Sequence, residues 1–379
     1  MKYRTLGEVS LGRDNTFDFL RFFLASLVIL SHSYAMLYNG TREGYDPLLR
    51  WTNGQAAFGG VAVDGFFLIS GFLITKSWLG SKSAGDYAKK RALRILPALV
   101  VVLIVTVLVI GPLSTTLPLT TYFRAPHTWA YFGFMGTINL HLTDRLPGVF
   151  AHNPLAYRVN GSLWTIRCEV ICYLMVAALG LLRFLRHPRI VLALSAATIV
   201  VMFVGAKHLM TLGEFADSFR VTTYFLWGMT FYLYRDVIPH TRALLLGSLV
   251  GIFASDLLGI LPYTLPVLGA YALFYAAFRP KLGMERFAKH GDFSYGLYLY
   301  AFPVQQLLVT HFRPLWNAGT LTLAAFVAAG AFAVGSWYLV EKPFLKKKPK
   351  AMPVQNLQTS ATTIDLPAPK AAEKMSTSL

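Results

Sequence analysis

The chain has 379 residues, 55% of them hydrophobic and only 14% charged, with a formal net charge of +17. Soluble domains carry nearer a quarter charged residues, so this composition excludes an ordinary soluble enzyme. Repeated apolar runs of spanning length assign the excess lysine and arginine to membrane flanks rather than to a nucleic-acid partner.

Residues 1–16 form a short basic segment. Apolar segments then fall near 17–38, 60–79, 93–112, 163–183, 189–207, 218–235, 242–260, 263–279, 293–311 and 320–340. They predict an all-α, polytopic integral membrane protein of about ten transmembrane helices, filling a single domain over 17–345. The first run is too long for the apolar core of a signal peptide, and no small-residue cleavage site follows it, so it reads as a retained span. Alternate connections hold 23 of the 35 lysines and arginines. That bias puts both termini in the cytosol, and the protein is expected in the inner (cytoplasmic) membrane. The opposite connection 113–162 is rich in Thr, Pro and aromatic residues, and part of it is expected to be re-entrant or interfacial. Residues 346–379, rich in Pro, Ala, Thr, Ser and Lys, are expected to be a disordered cytosolic tail.

The first segment, FDFLRFFLASLVILSHSY, is hydrocarbon apart from Asp18, Arg21, Ser26 and its polar end. A charge at the bilayer centre costs about 2.5–3.5 kcal/mol on insertion scales. With about 100° per residue, Asp18, Arg21 and His32 lie within about 60° of one another on one helix face. Asp18 can pair with Arg21 at i,i+3. A snorkelling Arg21 and an interfacial His32 are the plain alternatives. Three ionisable groups on one face point instead to a polar interior path, where an imidazole can take and return a proton near neutral pH. In the second segment Asp64 lies at a depth similar to that of His32. An aspartate on one ring nitrogen would fix the tautomer and leave the other nitrogen free as a base. Ser70 and Gly71 follow mid-span, serving close helix packing or leaving room for a substrate chain. Cys168 and Cys172 read as small buried hydrophobes, with no disulfide framework and no metal-ligand spacing.

Ordered motifs continue along the chain. D-G-FFLISG contains Asp64, Ser70 and Gly71. KKRALRILP carries Arg91 and Arg94 into the third segment. LWTIRCEVICY holds Trp164, Glu169 and Tyr173, and SYGLYL holds Ser294, Tyr295, Tyr298 and Leu299. An E-K-P run closes the apolar region at Glu341 and Pro343. With the Arg21 and His32 pair, these resemble the membrane-bound acyltransferase 3 family, whose members O-acylate carbohydrates with acyl-CoA. The resemblance covers residues 14–345. Two positions depart from it: Val170 stands where many members have a second acid, and Ala301 where many have a histidine. No fused esterase-like domain is expected.

The resemblance implies acetyl-CoA or another acyl-CoA as donor, a carbohydrate acceptor, and no metal. Its wording leans towards an exopolysaccharide or a sugar precursor, in contact with membrane lipid and a polysaccharide synthesis or export complex. His32 would be the general base or a transient acyl carrier. Arg21 would stabilise charge, anchor the donor or hold Asp18. Arg91 and Arg94, a turn apart, match the bidentate demands of coenzyme A phosphates, although positive-inside anchoring would also place them there. Glu169 could orient a sugar hydroxyl with Trp164 stacking on the ring, or pair with Arg167 or Arg158. Tyr295 and Tyr298 contact substrate or simply pack. A proton-coupled transporter would carry a similar Asp, Arg and His set, and a non-catalytic subunit of a synthesis complex is the third reading. The remaining histidines receive no role.

Overall fold

The computed structural model describes residues 3–10, 15–39, 41–135, 145–279, 284–289 and 291–349. The expected tail from residue 350 onward lies outside these residues, as do His141 and His290. Among the described residues the chain is helical, with only two isolated β-bridges, Thr5 to Pro239 and Thr115 to Val149.

Long helices occupy the predicted apolar segments. They are α1 (Phe17–Tyr38), α2 (Phe58–Leu79), α3 (Ala84–Ser114), α4 (Trp164–Leu181) and α5 (Pro188–Val204). Then follow α6 (Glu214–Leu233), α7 (Arg242–Leu257), α8 (Leu261–Ala277), α9 (Ser294–Phe312) and α10 (Ala318–Leu345). Five of these, α1, α2, α3, α4 and α10, are long and apolar enough to cross a membrane. Their starts follow local chemistry. Ser83 caps α3 by accepting from the Asp86 amide, Thr241 caps α7 from the Leu244 amide, and Asn317 with Thr320 forms a capping box on α10. Pro188 opens α5 at a position where its missing N–H is not needed.

Large apolar side chains on the outside of α5, α7 and α10, among them Val204, Val250, Phe253, Leu323 and Leu339, are exposed. Water would not tolerate so broad an apolar belt, whereas hydrocarbon does.

Helix α2 is the centre of the bundle, packed against α1, α4 and α6. Its closest neighbour is α6. A Cβ on Gly71 would strike the Phe225 carbonyl, and one on Gly228 would strike the Leu68 carbonyl. The two backbones therefore touch reciprocally, and Gly71 serves close packing rather than room for a substrate.

The connection after α3 includes short helices at Leu119–Arg124 and Pro126–Ala130. From residue 145 the chain returns to lie against α9. Pro303 lacks the N–H that would bond the Leu299 carbonyl, and the Asn160 amide donates to that carbonyl instead, at 2.9 Å. One turn on, the Gln306 amide donates to the carbonyls of Leu155 and Arg158, each at 2.8 Å, while Asn153 donates to Gln306 Oε1 at 2.7 Å. A buried connection must satisfy its polar groups, and these amides do so.

Candidate active site

A cavity of about 140 Å³ lies between α2, α3, α4 and α9. Helical spacing decides which residues reach it. Val63, Phe66 and Ser70 of α2 share one face, as do Glu169 and Tyr173 of α4. Arg91 and Arg94 come from α3, Tyr295 and Tyr298 from α9, and Arg21 from α1. Eight of the residues selected from sequence thus meet around one space.

Glu169 is the acid within it. Its carboxylate accepts a short hydrogen bond from the Tyr173 hydroxyl and a 3.4 Å one from Ser70. Arg167, an alternative partner from sequence, is 3.6 Å from Glu214 instead. The Tyr298 hydroxyl lies 2.7 Å from that of Thr165 and donates to the Ser162 carbonyl, and the Tyr295 hydroxyl donates to the Ile95 carbonyl. Both tyrosine hydroxyls are thus engaged by the bundle, and their rings form the wall.

The arginines are not equivalent. Arg94 sits 2.8 Å from Asp292 and 3.8 Å from Glu341, with its guanidinium 5.4 Å above the Tyr295 ring. Arg21 pairs with Asp18 at 2.9 Å, as the spacing predicts, and reaches Asp292 at 3.8 Å. Burial opposes ionisation of Asp292, but Arg94 and Arg21, aided by Ser294, hold its carboxyl below the usual range. Glu341 is delivered inward by a π-turn over Trp337–Glu341, a distortion frequent at functional sites. Arg91 makes no ion pair among the described residues. Its guanidinium stacks over Tyr173 at 5.7 Å and lies 3.4 Å from Ser77 Oγ, and its Nε is buried without a partner among those residues.

His32, about three turns along α1 from Arg21, does not line the cavity. Its ring stands nearly perpendicular to that of Phe302, centroids 5.0 Å apart, and its Nδ1 is buried without a hydrogen-bond partner among the described residues. The expected pairing of Asp64 with His32 does not form. Asp64 accepts a short hydrogen bond from Arg220, which also reaches Asp217 at 3.5 Å. A buried carboxylate takes the nearest cation, and α6 supplies one. Trp164 stands at the start of α4, partly buried against the core and outside the cavity wall.

Sequence reasoning missed Arg220 and Asp292 and assigned no role to Glu341. Each left a signal. Arg220 is a lone cation within an apolar helix, and Asp292 is, with Glu285, one of two acids in an otherwise basic connection. Among the described residues no group of three or more His, Cys, Asp or Glu is arranged to hold a metal.

A family model described as an acyltransferase domain matches residues 14–342. The chain belongs to this membrane-bound acyltransferase 3 family. An "O-acetyl transferase" of Shigella phage Sf6 is 29% identical over 349 residues, covering 89% of this chain and 98% of the relative. "Nodulation protein 10" of Rhizobium leguminosarum bv. viciae is 32% identical over 392 residues, covering 89% and 95%. No solved structure matches this acyltransferase. Membership makes it an enzyme that transfers an acyl group, and its apolar helices make it a membrane protein.

Proposed function

We propose that this acyltransferase moves an acyl group, by default acetyl, from acyl-CoA to a hydroxyl of a cell-surface or exported carbohydrate. The observation that carries the reading is the cavity itself. It gathers Arg21, Arg91 and Arg94, and the rest of its lining is mainly apolar and aromatic, with the hydroxyls of Ser70, Thr165 and Ser294, around a single carboxylate, Glu169. Phosphates need guanidinium groups, and a thioester with its pantetheine arm needs an apolar slot. In this reading all ten helices span the inner membrane, and the arginine end faces the cytosol, where acyl-CoA is made.

The chemistry assigns each group a task. Arg91, with no carboxylate partner among the described residues, holds donor phosphate. The thioester lies along the cavity towards Tyr298. His32 accepts the proton of the acceptor hydroxyl as its oxygen attacks the thioester carbonyl. The tetrahedral oxyanion collapses, the C–S bond breaks, and the departing CoA thiolate takes up the proton held by His32. Ester and free coenzyme A result. His32 lies about one turn beyond the cavity, because Tyr298 in its wall and Phe302 against the imidazole are neighbours at i,i+4 on α9. Glu169 orients a sugar hydroxyl. Its place inside the cavity also favours a second reading, with Glu169 as the base and His32 as a binding residue.

Ester content of surface glycans, read by mass spectrometry from cells carrying each variant, tests both. His32→Ala should abolish acylation while Glu169→Gln retains a reduced level. The opposite ranking moves the base to Glu169. An unchanged ester content in both variants would end the acyltransfer reading of this site. Thermal stabilisation of the purified protein by acetyl-CoA separates it from a proton-coupled transporter, which should show none.

A further inference from the structure

Catalytic imidazoles are normally oriented by a partner on the second ring nitrogen, most often a carboxylate. Among the described residues that partner is absent: Asp64 is held by Arg220, and His32 Nδ1 has no hydrogen-bond partner. Something else must fix the ring. The Phe302 ring stands nearly perpendicular to it, with centroids 5.0 Å apart and planes at 79°. Phe302 is itself 3% exposed and backed by Gly161. A Cβ at residue 161 would lie 2.6 Å from Phe302 Cε2 and 2.8 Å from Cζ, so only glycine lets the ring sit where it does. Gly161 in turn is placed by its neighbour Asn160, whose amide donates to the Leu299 carbonyl.

We infer that Phe302, wedged between Gly161 and His32, is the positioning residue that fixes the imidazole in place of an acid. The inference rests on His32 acting as the base. Its logic is geometric. The ring edge is electropositive and the ring face electronegative, so a perpendicular contact selects one orientation of the imidazole over its rotated alternatives. The wall residue Tyr298 is one turn away on the same face of α9, so the wedge also keeps His32 next to the end of the cavity. Two features of the sequence follow without further assumption: a glycine is needed at 161, and an aromatic ring is needed at 302.

The test uses the full chain in lipid nanodiscs, with acetyl-CoA varied and a membrane glycolipid extract from the native cells as acceptor. Phe302→Leu keeps the apolar volume roughly but removes the perpendicular ring, and Gly161→Ala pushes the ring off its seat. Each should lower kcat about ten- to a hundred-fold, the cost expected of a misplaced catalytic group. KM for acetyl-CoA should stay within about twofold, since the donor cavity is untouched. The double variant should be no worse than the single ones, because both act through one ring. Wild-type kcat in Phe302→Leu would overturn the role. So would parallel losses in kcat, donor KM and thermal midpoint, which mean that Phe302 merely fills the bundle. His32→Ala in the same assay separates the two ideas. An active His32→Ala protein removes the base on which the wedge acts, whereas an inactive one beside a fully active Phe302→Leu removes only the wedge.

Discussion

The two ends of α1 solve the problem of polar groups in a low-dielectric bundle in opposite ways. At the arginine end, Arg21 and Arg94 converge on Asp292, with Asp18 and Glu341 completing the balance. At the histidine end no carboxylate among the described residues bonds the imidazole, and a phenylalanine ring meets it instead. A guanidinium is always charged and must be compensated where water is excluded, while an imidazole can be buried neutral. The first end is therefore built from ion pairs, and the second from shape.

The same contrast recurs within the single R-x-x-R motif, and the largest effect is expected there. Arg94 is the shared cation of Asp292 and of Glu341, which is 2% exposed. Removing one member of a buried pair costs about 3–5 kcal/mol, because the partner is left uncompensated. Arg94→Ala should therefore lower folded yield and thermal midpoint in detergent, and Glu341→Gln placed on top of it should recover part of the loss. A wild-type midpoint in Arg94→Ala would mean that the ion pairs at this end do not hold the bundle, and the contrast would fail.

Arg91 sharpens the point from the other side. With no carboxylate partner among the described residues, its removal leaves no acid stranded, so Arg91→Ala should melt close to wild type. Its loss should be felt by the donor instead. Hydrogen bonds to charged groups contribute about 1.5–3 kcal/mol, which corresponds to acetyl-CoA binding weakened roughly ten- to a hundred-fold. Acetyl-CoA-dependent thermal stabilisation measures it. If Arg91→Ala and Arg94→Ala behave alike, the division between a structural and a donor-binding arginine is wrong.

Much of this division could not be read from the chain. Hydropathy places the helices well, because a long run of apolar side chains is stable only in hydrocarbon or in a packed interior. The i,i+3 pair of Asp18 and Arg21 is local, so geometry along one helix predicts it. The convergence of Ser70, Glu169 and Tyr173 was legible only as separate motifs; their hydrogen bonds join α2 to α4 across 99 residues of sequence. The pairing of Asp64 was misread because depth in the membrane does not determine rotation about the helix axis. Asp64 turns towards α6 and Arg220, not towards α1. A lone cation in an apolar helix implies a buried acid partner, by the same rule that makes Arg21 stand out. The place of Glu341 depends on a π-turn, which shifts every later residue around the axis and has no reliable sequence signal.

The smallest expected effect is one of pH, and it again sets the arginine end against the histidine end. Lys348 lies in the turn just past α10 and outside the spans, half-buried near the cavity mouth. Burial, with repulsion from Arg94, Arg91 and Arg21 and a partial offset from Asp292, brings its amine from the ordinary 10.5 down to about 7. The unfolded chain keeps that proton up to about 10.5, and the folded chain releases it near 7. Between those values the unfolded state binds more protons, so this group makes stability rise with pH across the window, while below about 7 the folded state carries the whole penalty. A donor phosphate reverses the preference, because it stabilises the charged amine. Acetyl-CoA affinity should therefore fall as pH rises above about 7, by about two- to fivefold given the partial exposure. Lys348→Met should flatten both slopes, with affinity read as the acetyl-CoA dependence of thermal midpoint at about pH 6 and about pH 9, on either side of the shifted titration. The histidine end contributes nothing to this difference if its imidazole is set by shape, so His32→Ala should leave the donor slope intact. A slope that survives Lys348→Met but vanishes in His32→Ala would invert the assignment, making the histidine end the one that senses donor charge.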